Sequence, residues 1–307
     1  MRGLRLLCRV GTAALIILPW APWSAAGQVS RLVEVEGHPM RVISDGLDTR
    51  GPQQPAVILE GGAGSPIRVW DPIFSSVARF APVVAYDRSG IGESPWDSIL
   101  PTPERVATTL RSLLSELGAV PPYVLVGHSW GGPLIRYFAG MYPDEVVGMV
   151  YIDPSDFTWT PADGRALFES LAPRGDWAEF YESQQQMQAE ALARILSPGR
   201  RAEYSVIFDF RSKEMEERAL PTAPAVPTSV VIAARRPAPS PQAPPYTEPF
   251  DVEAYWKALR DSRDANLRTW VTEGGEFVEA STTNHFVHHD EPQVVVDMIR
   301  RITLGSN

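Results

Sequence analysis

The feature that most constrains the fold of this chain is the ten-residue stretch 123–132, which reads YVLVGHSWGG. Its first four residues are apolar and rich in β-branched side chains, which is typical of a buried parallel strand. Gly127 and Gly131 stand two positions on either side of Ser129, and such small residues permit a turn in which strand and helix pass very close to each other. The stretch therefore predicts a strand, a sharp turn and the start of a helix, with Ser129 at the corner.

The spacing Gly127-x-Ser129-x-Gly131 matches the nucleophile elbow, in which a strained turn holds a serine hydroxyl out beyond the edge of a sheet. The alternative is a glycine-rich turn with a bystander serine, but the predicted strand and helix around the motif favour a catalytic serine. The backbone N–H of Trp130, at the start of the helix, would then face negative charge that develops on a substrate oxygen. In these residues the chain resembles the α/β-hydrolase family.

Alternating strands and helices indicate an α/β fold with a mostly parallel sheet. The predicted strands are a hairpin within 31–44 and runs at 56–59, 83–86, 123–126, 146–152, 228–234 and 267–272. Helices are predicted at 103–117, 252–259 and 290–302. The resemblance implies helices on both faces of the sheet, a core of residues 27–156 and 221–307, and an inserted helical cap at 157–220. Within the cap, residues 166–171, 177–196 and 201–218 favour helix.

Two further loops resemble loops of the same family. The first follows the strand at 56–59, and the resemblance assigns the second oxyanion N–H to Gly62, with Ala63 as the neighbouring alternative. Glu60 stands where the family usually has histidine. Because a carboxylate beside an oxyanion is unfavourable, we expect Glu60 to point away and to hydrogen-bond to backbone or a neighbouring side chain. Asp87 and Arg88 begin the second loop, and we interpret them as a structural ion pair.

The segment 284–292, NHFVHHDEP, resembles the family's Gly-His-Phe segment, and the resemblance assigns the general base to His285. Imidazole suits this role because its ordinary pKa, near 6.5, lets it take the serine proton and return it to the leaving group. His288 and His289 raise the question of a metal site, but no cysteine or suitably spaced carboxylate supports one. We interpret both as helix-entry residues, and we predict neither a metal nor a cofactor.

The acid that orients His285 has several candidates. Many family members carry it after the strand at 228–234, where the first carboxylates here are Glu248 and Asp251. A known alternative in the family places it at the end of the preceding strand, and Asp153 holds that position in the order serine, acid, histidine. Asp153 could also be a loop residue that fixes the cap hinge, and Asp156 is a further candidate. We favour Asp153 and expect it to be buried and hydrogen-bonded to His285 Nδ1.

The remaining sequence indicates which partners to expect and where the protein is located. A formal net charge of −9 makes a nucleic-acid partner unexpected. Residues 1–26 combine a basic start, a short apolar core and small residues before a cleavage site, which predicts a signal peptide and a secreted or periplasmic protein. A retained N-terminal membrane anchor is the alternative, but Pro19 and Pro22 shorten the apolar run below a spanning length, so no stable membrane insertion is expected after cleavage.

These features together predict a serine hydrolase that cleaves a small or medium ester through an acyl-enzyme, with a small-molecule acyl substrate. A cofactor-free perhydrolase or haloperoxidase, or an aminopeptidase-type activity, would use the same triad. A non-catalytic binding protein that kept the fold is the alternative from another class. Ser129 argues against halide or epoxide chemistry, which an aspartate at the elbow would have favoured.

Overall fold

The computed structural model describes residues 29–172, 175–234 and 252–305. The predicted signal peptide at 1–26 and the candidate acids Glu248 and Asp251 lie outside the described residues. Within those ranges, no helix combines the length and the apolar character needed to cross a membrane.

Eight strands of the described chain form one sheet in the order β1-β2-β4-β3-β5-β6-β7-β8. β1 pairs antiparallel with β2 and β2 with β4, whereas every other neighbouring pair is parallel. The strands are β1 Val29–Val35, β2 His38–Asp45, β3 Ala56–Glu60, β4 Val83–Tyr86, β5 Tyr123–His128, β6 Val146–Ile152, β7 Thr228–Ile232 and β8 Phe277–Glu279. The mostly parallel sheet predicted from the sequence is confirmed.

Helices follow the strands along the described chain. They are α1 Asp71–Ala78, α2 Pro103–Glu116, α3 Gly131–Met141, α4 Pro161–Leu171, α5 Trp177–Arg194, α6 Pro198–Arg211, α7 Met215–Arg218, α8 Val252–Arg268, α9 Val287–Asp290 and α10 Pro292–Leu304. Short 3₁₀ turns span Ile67–Trp70 and Pro143–Glu145. Local chemistry fixes several starts: the Thr102 side chain accepts from Arg105 N at the head of α2, and Thr160 forms a capping box with Asp163 at α4.

Helices cover both faces of the sheet, because successive residues of the buried strands point to opposite sides. In β5, Leu125 contributes to the core on the α2 and α3 face. Its neighbours Val124 and Val126 contribute to the core on the α1 and α10 face. Burial on both faces explains why these strands read as continuous apolar runs in the sequence.

A helical insertion, α4 to α7, lies between β6 and β7. The predicted helix at 201–218 is two helices, since α6 ends at Arg211 and α7 begins at Met215. Phe168 of α4 and Phe180 of α5 share a small apolar cluster with Tyr255 of α8. The helical layer over the sheet therefore includes α8, which follows β7, as well as residues 157–220.

The strand predicted at 267–272 is wrong. α8 continues through Leu267 to Arg268, and the last strand is the short β8, Phe277–Glu279. Leu267 is fully buried, and Trp270 stacks on Phe157 with ring centroids 4.0 Å apart. These apolar side chains that suggested a strand serve tertiary packing at the end of a helix instead.

Candidate active site

Ser129 occupies a strained corner between β5 and α3. Its φ of 54° lies in the left-handed region that residues other than glycine rarely adopt, and its N–H donates to Ile152 O at 3.1 Å. A Cβ atom on Gly127 would lie 2.6 Å from Gly131 O, so this position must be glycine. The predicted strand, sharp turn and helix are therefore all present, and the glycine spacing follows from the close passage of strand and helix.

Asp153 and His285 are joined at the carboxyl ends of the parallel strands. His285 Nδ1 lies 2.6 Å from Asp153 Oδ2, and Asp153 is only 2% exposed. Asp153 directly follows β6, has a φ of 38° and donates its N–H to Val231 O at 2.7 Å. Burial of the carboxylate and its contact with Nδ1 are the features expected of the group that orients a catalytic imidazole.

The other oxygen of Asp153 has a partner that the sequence did not predict. Arg263 Nη2 of α8 donates to Asp153 Oδ1 at 2.9 Å and to Pro154 O at 2.7 Å. Asp156, the rival candidate for the acid, instead accepts from Thr158 and Asn266. Among the described candidates, Asp153 is thus the one that contacts His285. The guanidinium of Arg263 binds the other oxygen of the Asp153 carboxylate.

Ser129, Asp153 and His285 line one cavity of about 470 Å³. Aromatic side chains of the loop before α4, of α5 and of α8 form much of its wall: Trp159, Trp177, Phe180, Tyr181, Tyr255 and Trp256. A cavity whose surface is mostly apolar, with polar groups at defined positions, is typical of a small-molecule site. The hydroxyl of Ser129 and the imidazole of His285, which are far apart in sequence, are therefore accessible to the same ligand, and the buried carboxylate of Asp153 contacts that imidazole.

The loop after β3 lies directly against the elbow. A Cβ atom on Gly62 would stand 3.1 Å from Ser129 Cβ and 3.0 Å from His128 Nδ1, so only glycine leaves this approach undisturbed. Within the described chain, the backbone N–H groups of Gly62 and Trp130 donate to no protein acceptor. Two amides beside the serine are thus available to a ligand oxygen.

Arg88 fixes the orientation of this loop. Its guanidinium donates to Gly61 O at 2.8 Å and to Gly62 O at 2.6 Å. In a trans peptide the C=O and the following N–H point in opposite directions. Each carbonyl drawn toward Arg88 therefore turns the next N–H away from it, and these are the N–H groups of Gly62 and Ala63, the two predicted donors.

A buried ion network holds Arg88 in place. Its Nη1 lies 2.5 Å from Glu60 Oε1 and its Nε lies 2.6 Å from Glu203 Oε1, and all three side chains are at most 4% exposed. Glu60 also accepts from the Tyr86 hydroxyl. Burial raises the pKa of Glu60, although the charge of Arg88 acts in the opposite direction. The prediction that Glu60 points away to a neighbouring side chain is confirmed.

The predicted ion pair between Asp87 and Arg88 is wrong. Arg88 pairs with Glu60 and Glu203, whereas Asp87 accepts from Ile67 N at 2.5 Å and from Glu93 N at 2.8 Å. Adjacent residues on an extended segment point to opposite sides, so neighbours in sequence are poorly placed to pair with each other. Asp87 thus holds the shape of its own loop.

Arg88→Lys is expected to lower kcat by about 10- to 100-fold, with a smaller change in KM. A lysine keeps the charge but lacks the planar fork that reaches both carbonyls and both carboxylates, so the loop amides lose their alignment. Steady-state kinetics with a short ester, together with thermal unfolding, measures this. Arg111→Lys is the matched control, because Arg111 makes a surface pair with Glu145. A kcat equal to that of wild type would show that Arg88 does not align the loop amides.

Buried histidines lie behind the site. His128 Nε2 donates to His285 O at 3.0 Å, which ties the backbone of the candidate base to β5. Burial, reinforced by neighbouring His285, lowers the pKa of His128 to about 3. His288 is fully buried 4.8 Å from the ring of His128, and burial lowers its pKa to about 2. Both rings therefore stay neutral in the folded protein at physiological pH.

The two buried rings predict acid lability. Below about pH 6.5, the ordinary pKa of histidine, the unfolded chain binds protons that folded His128 and His288 do not accept until about pH 3 and about 2. Stability should therefore fall as the pH drops through this window, by up to roughly 1.4 kcal/mol per pH unit for each histidine. Urea unfolding at pH 7, 6, 5 and 4 measures the slope.

His288→Phe should reduce this pH dependence by about one proton, since the ring no longer has to stay neutral. His38→Gln, at the start of β2 and away from the buried rings, is the control, and the difference in slope between the two variants measures the contribution of His288. An unchanged slope in His288→Phe would show that His288 accepts its proton without unfolding.

The structure adds two charged residues that the sequence reading missed, Arg263 and Glu203. Arg263 lies 110 positions from Asp153, and Glu203 lies 115 positions from Arg88. Neither lies in a recognisable local motif, and each lies on a helix that carries several other charged residues. In the described ranges no group of three His, Cys, Asp or Glu side chains is arranged to hold a metal ion.

Comparison with known proteins agrees with this geometry. The sequence profile of the alpha/beta hydrolase family matches residues 57–298. Uncharacterized protein YqjL of Bacillus subtilis is 25% identical over 246 residues, which are 80% of this chain and 82% of YqjL. Lipase LipV of Mycobacterium tuberculosis is 29% identical over 152 residues, which are 48% of this chain and 56% of LipV.

The crystal structure of carboxylesterase CesB from Bacillus subtilis superposes with a TM-score of 0.54 at 15% identity, covering 92% of this chain and 93% of CesB. At that identity the likeness shows a shared fold. The family profile spans β3 to α10, and so includes the elbow, the strand end that bears Asp153 and the loop that bears His285. This chain belongs to the α/β-hydrolase family.

Proposed function

We propose that the protein is a serine hydrolase that cleaves a small or medium carboxylic ester through an acyl-enzyme. One observation carries this proposal: the 2.6 Å contact between Asp153 Oδ2 and His285 Nδ1 borders the same cavity as Ser129 on its strained elbow. A nucleophile, a base and a buried carboxylate facing one cavity are the minimum set for acyl transfer.

In the proposed reaction, His285 Nε2 takes the proton of Ser129 Oγ as the oxygen attacks the ester carbonyl carbon. The backbone N–H groups of Trp130 and Gly62 stabilise the resulting oxyanion. Collapse of the tetrahedral intermediate breaks the bond to the alcohol, which takes the proton from His285. Water, deprotonated by His285, then attacks the acyl carbon of the acyl-enzyme. Collapse of this second tetrahedral intermediate breaks the bond to Ser129 Oγ, which takes the proton back from His285, and the acid is released. Throughout, Asp153 holds Nδ1 protonated and offsets the positive charge of the imidazolium.

Size and similarity support an ester of modest length. A cavity of about 470 Å³ lies in the range of sites for single small molecules. LipV is named a lipase and CesB a carboxylesterase, which places ester cleavage among the activities of similar proteins. The aromatic wall suits an apolar acyl or alcohol group.

Fluorophosphonate labelling and hydrolysis of short p-nitrophenyl esters test the proposal together. We expect covalent labelling and release of p-nitrophenol by the wild-type protein. Parallel assays for peracid formation with hydrogen peroxide and for cleavage of amino-acid p-nitroanilides distinguish the perhydrolase and aminopeptidase alternatives. A wild-type protein that is neither labelled nor active on any of these substrates would be a binding protein of the same fold.

A further inference from the structure

Three arginines line the cavity, and they differ in the ion pairs and hydrogen bonds that they make: Arg211, Arg260 and Arg263. Arg263 is fully engaged by Asp153, Asp264 and Pro154 O. Arg211, the last residue of α6, makes one long hydrogen bond, from Nη2 to Ser155 Oγ at 3.3 Å. In the described part of the chain no aspartate or glutamate forms an ion pair with Arg211 or Arg260.

The Arg211 side chain is exposed where it lines the cavity, although it lies among protein atoms. Desolvation by these atoms lowers the pKa of its guanidinium, and the nearby charge of Arg218 acts in the same direction. A guanidinium has five N–H donors, and most of those of Arg211 remain open to a ligand.

The carboxylates of the cavity are already engaged. Asp156 accepts from Thr158 N at 2.8 Å and from Asn266 Nδ2 at 2.9 Å, and Asp264 pairs with Arg263 at 3.0 Å. A ligand carboxylate would therefore supply a negative charge for Arg211 that these side chains do not. Charge-assisted hydrogen bonds from an arginine to a carboxylate are among the strongest polar contacts in proteins.

The position of Arg211 ties this anion site to the nucleophile. Ser155, which accepts from Arg211, donates its own N–H to Ser129 O at 2.9 Å. These two contacts link Arg211 to the elbow, and a ligand carboxylate at Arg211 would share one cavity with an ester carbonyl at Ser129. We propose that Arg211 selects esters that carry a free carboxylate on the acyl chain, while the apolar part of that chain packs against the aromatic wall. This proposal rests on the function proposed above.

A pair of substrates isolates this contact. Monoethyl adipate and ethyl hexanoate have the same acyl backbone, and a carboxylate in the first replaces the terminal methyl group of the second. Hydrolysis followed by pH-stat should give a kcat/KM at least about tenfold higher for monoethyl adipate. Arg211→Gln should reduce this ratio by about 10- to 100-fold, and Arg211→Lys should retain part of it because it keeps the charge.

Arg201→Gln is the matched control, because Arg201 is an exposed arginine on the same helix that donates to Ile195 O. It should keep the wild-type ratio. Cleavage of ethyl hexanoate with no preference for the hemiester, or a preference that Arg211→Gln leaves intact, overturns the anion site alone. Fluorophosphonate labelling without cleavage of either ester overturns the substrate class but keeps the serine hydrolase. A protein that is neither labelled nor active overturns both.

Discussion

Replacing Ser129 by alanine is expected to abolish fluorophosphonate labelling and to lower kcat by a factor on the order of 10⁵ to 10⁶. The reason is geometric. The turn that gives Ser129 a φ of 54° presents its side chain to the cavity that His285 also lines, close to Gly62 and next to the amide of Trp130. Mass spectrometry of the labelled protein and initial rates with a short p-nitrophenyl ester measure the two effects.

Ser155→Ala provides the comparison, because Ser155 lines the same cavity and its N–H contacts Ser129 O. It should remain labelled, whereas Ser129→Ala should not. Labelling that persists in Ser129→Ala would assign the nucleophile to another residue. Thermal unfolding of both variants checks that the elbow survives the substitution.

Much of the sheet could be predicted because each central strand carries its own signal. β4 and β6 have the predicted bounds, since each is a continuous apolar run that ends in polar loop residues. α2 begins where Thr102 and Pro103 predict. β8 has three residues, which is too short for any periodicity, whereas the apolar residues at and after the end of α8 have the composition of a strand.

The candidate site divides in the same way. Ser129 and His285 lie in short motifs, and Asp153 follows from its place after β6 and from the order of the triad. The contact of Asp153 with Arg263, by contrast, depends on where α8 packs, and no local pattern encodes that. The same holds for Arg88, whose partner Glu203 lies on the helical insertion. The sequence thus predicts the groups of the proposed reaction, and only the fold shows which residues contact them.

Asp153→Asn is expected to lower kcat by about 10⁴-fold with little loss of stability. Asp153 accepts from His285 Nδ1 on one oxygen and from Arg263 on the other, but asparagine has a single oxygen. Arg263 can only donate, so the amide oxygen should face Arg263 and the amide NH₂ should face His285. Nδ1 must then accept, which puts the ring proton on Nε2, where the proton of Ser129 has to go.

Initial rates and the rate of fluorophosphonate labelling should fall together in Asp153→Asn, since both need the correct tautomer. A loss below tenfold would transfer the role of the acid to Glu248 or Asp251. Circular dichroism and thermal unfolding of the variant check that its fold is intact.

The double variant with Arg263→Met tests whether Arg263 sets the orientation of the amide. Without its donor, the amide oxygen of the introduced asparagine can turn to His285 and accept from Nδ1–H, which restores the useful tautomer. We therefore expect the double variant to be about tenfold more active than Asp153→Asn, although Arg263→Met alone should be less active than wild type. Contacting residues are where such non-additivity arises. If the double variant is as impaired as Asp153→Asn or more so, Arg263 does not control the tautomer, and the loss in Asp153→Asn comes from the missing negative charge alone.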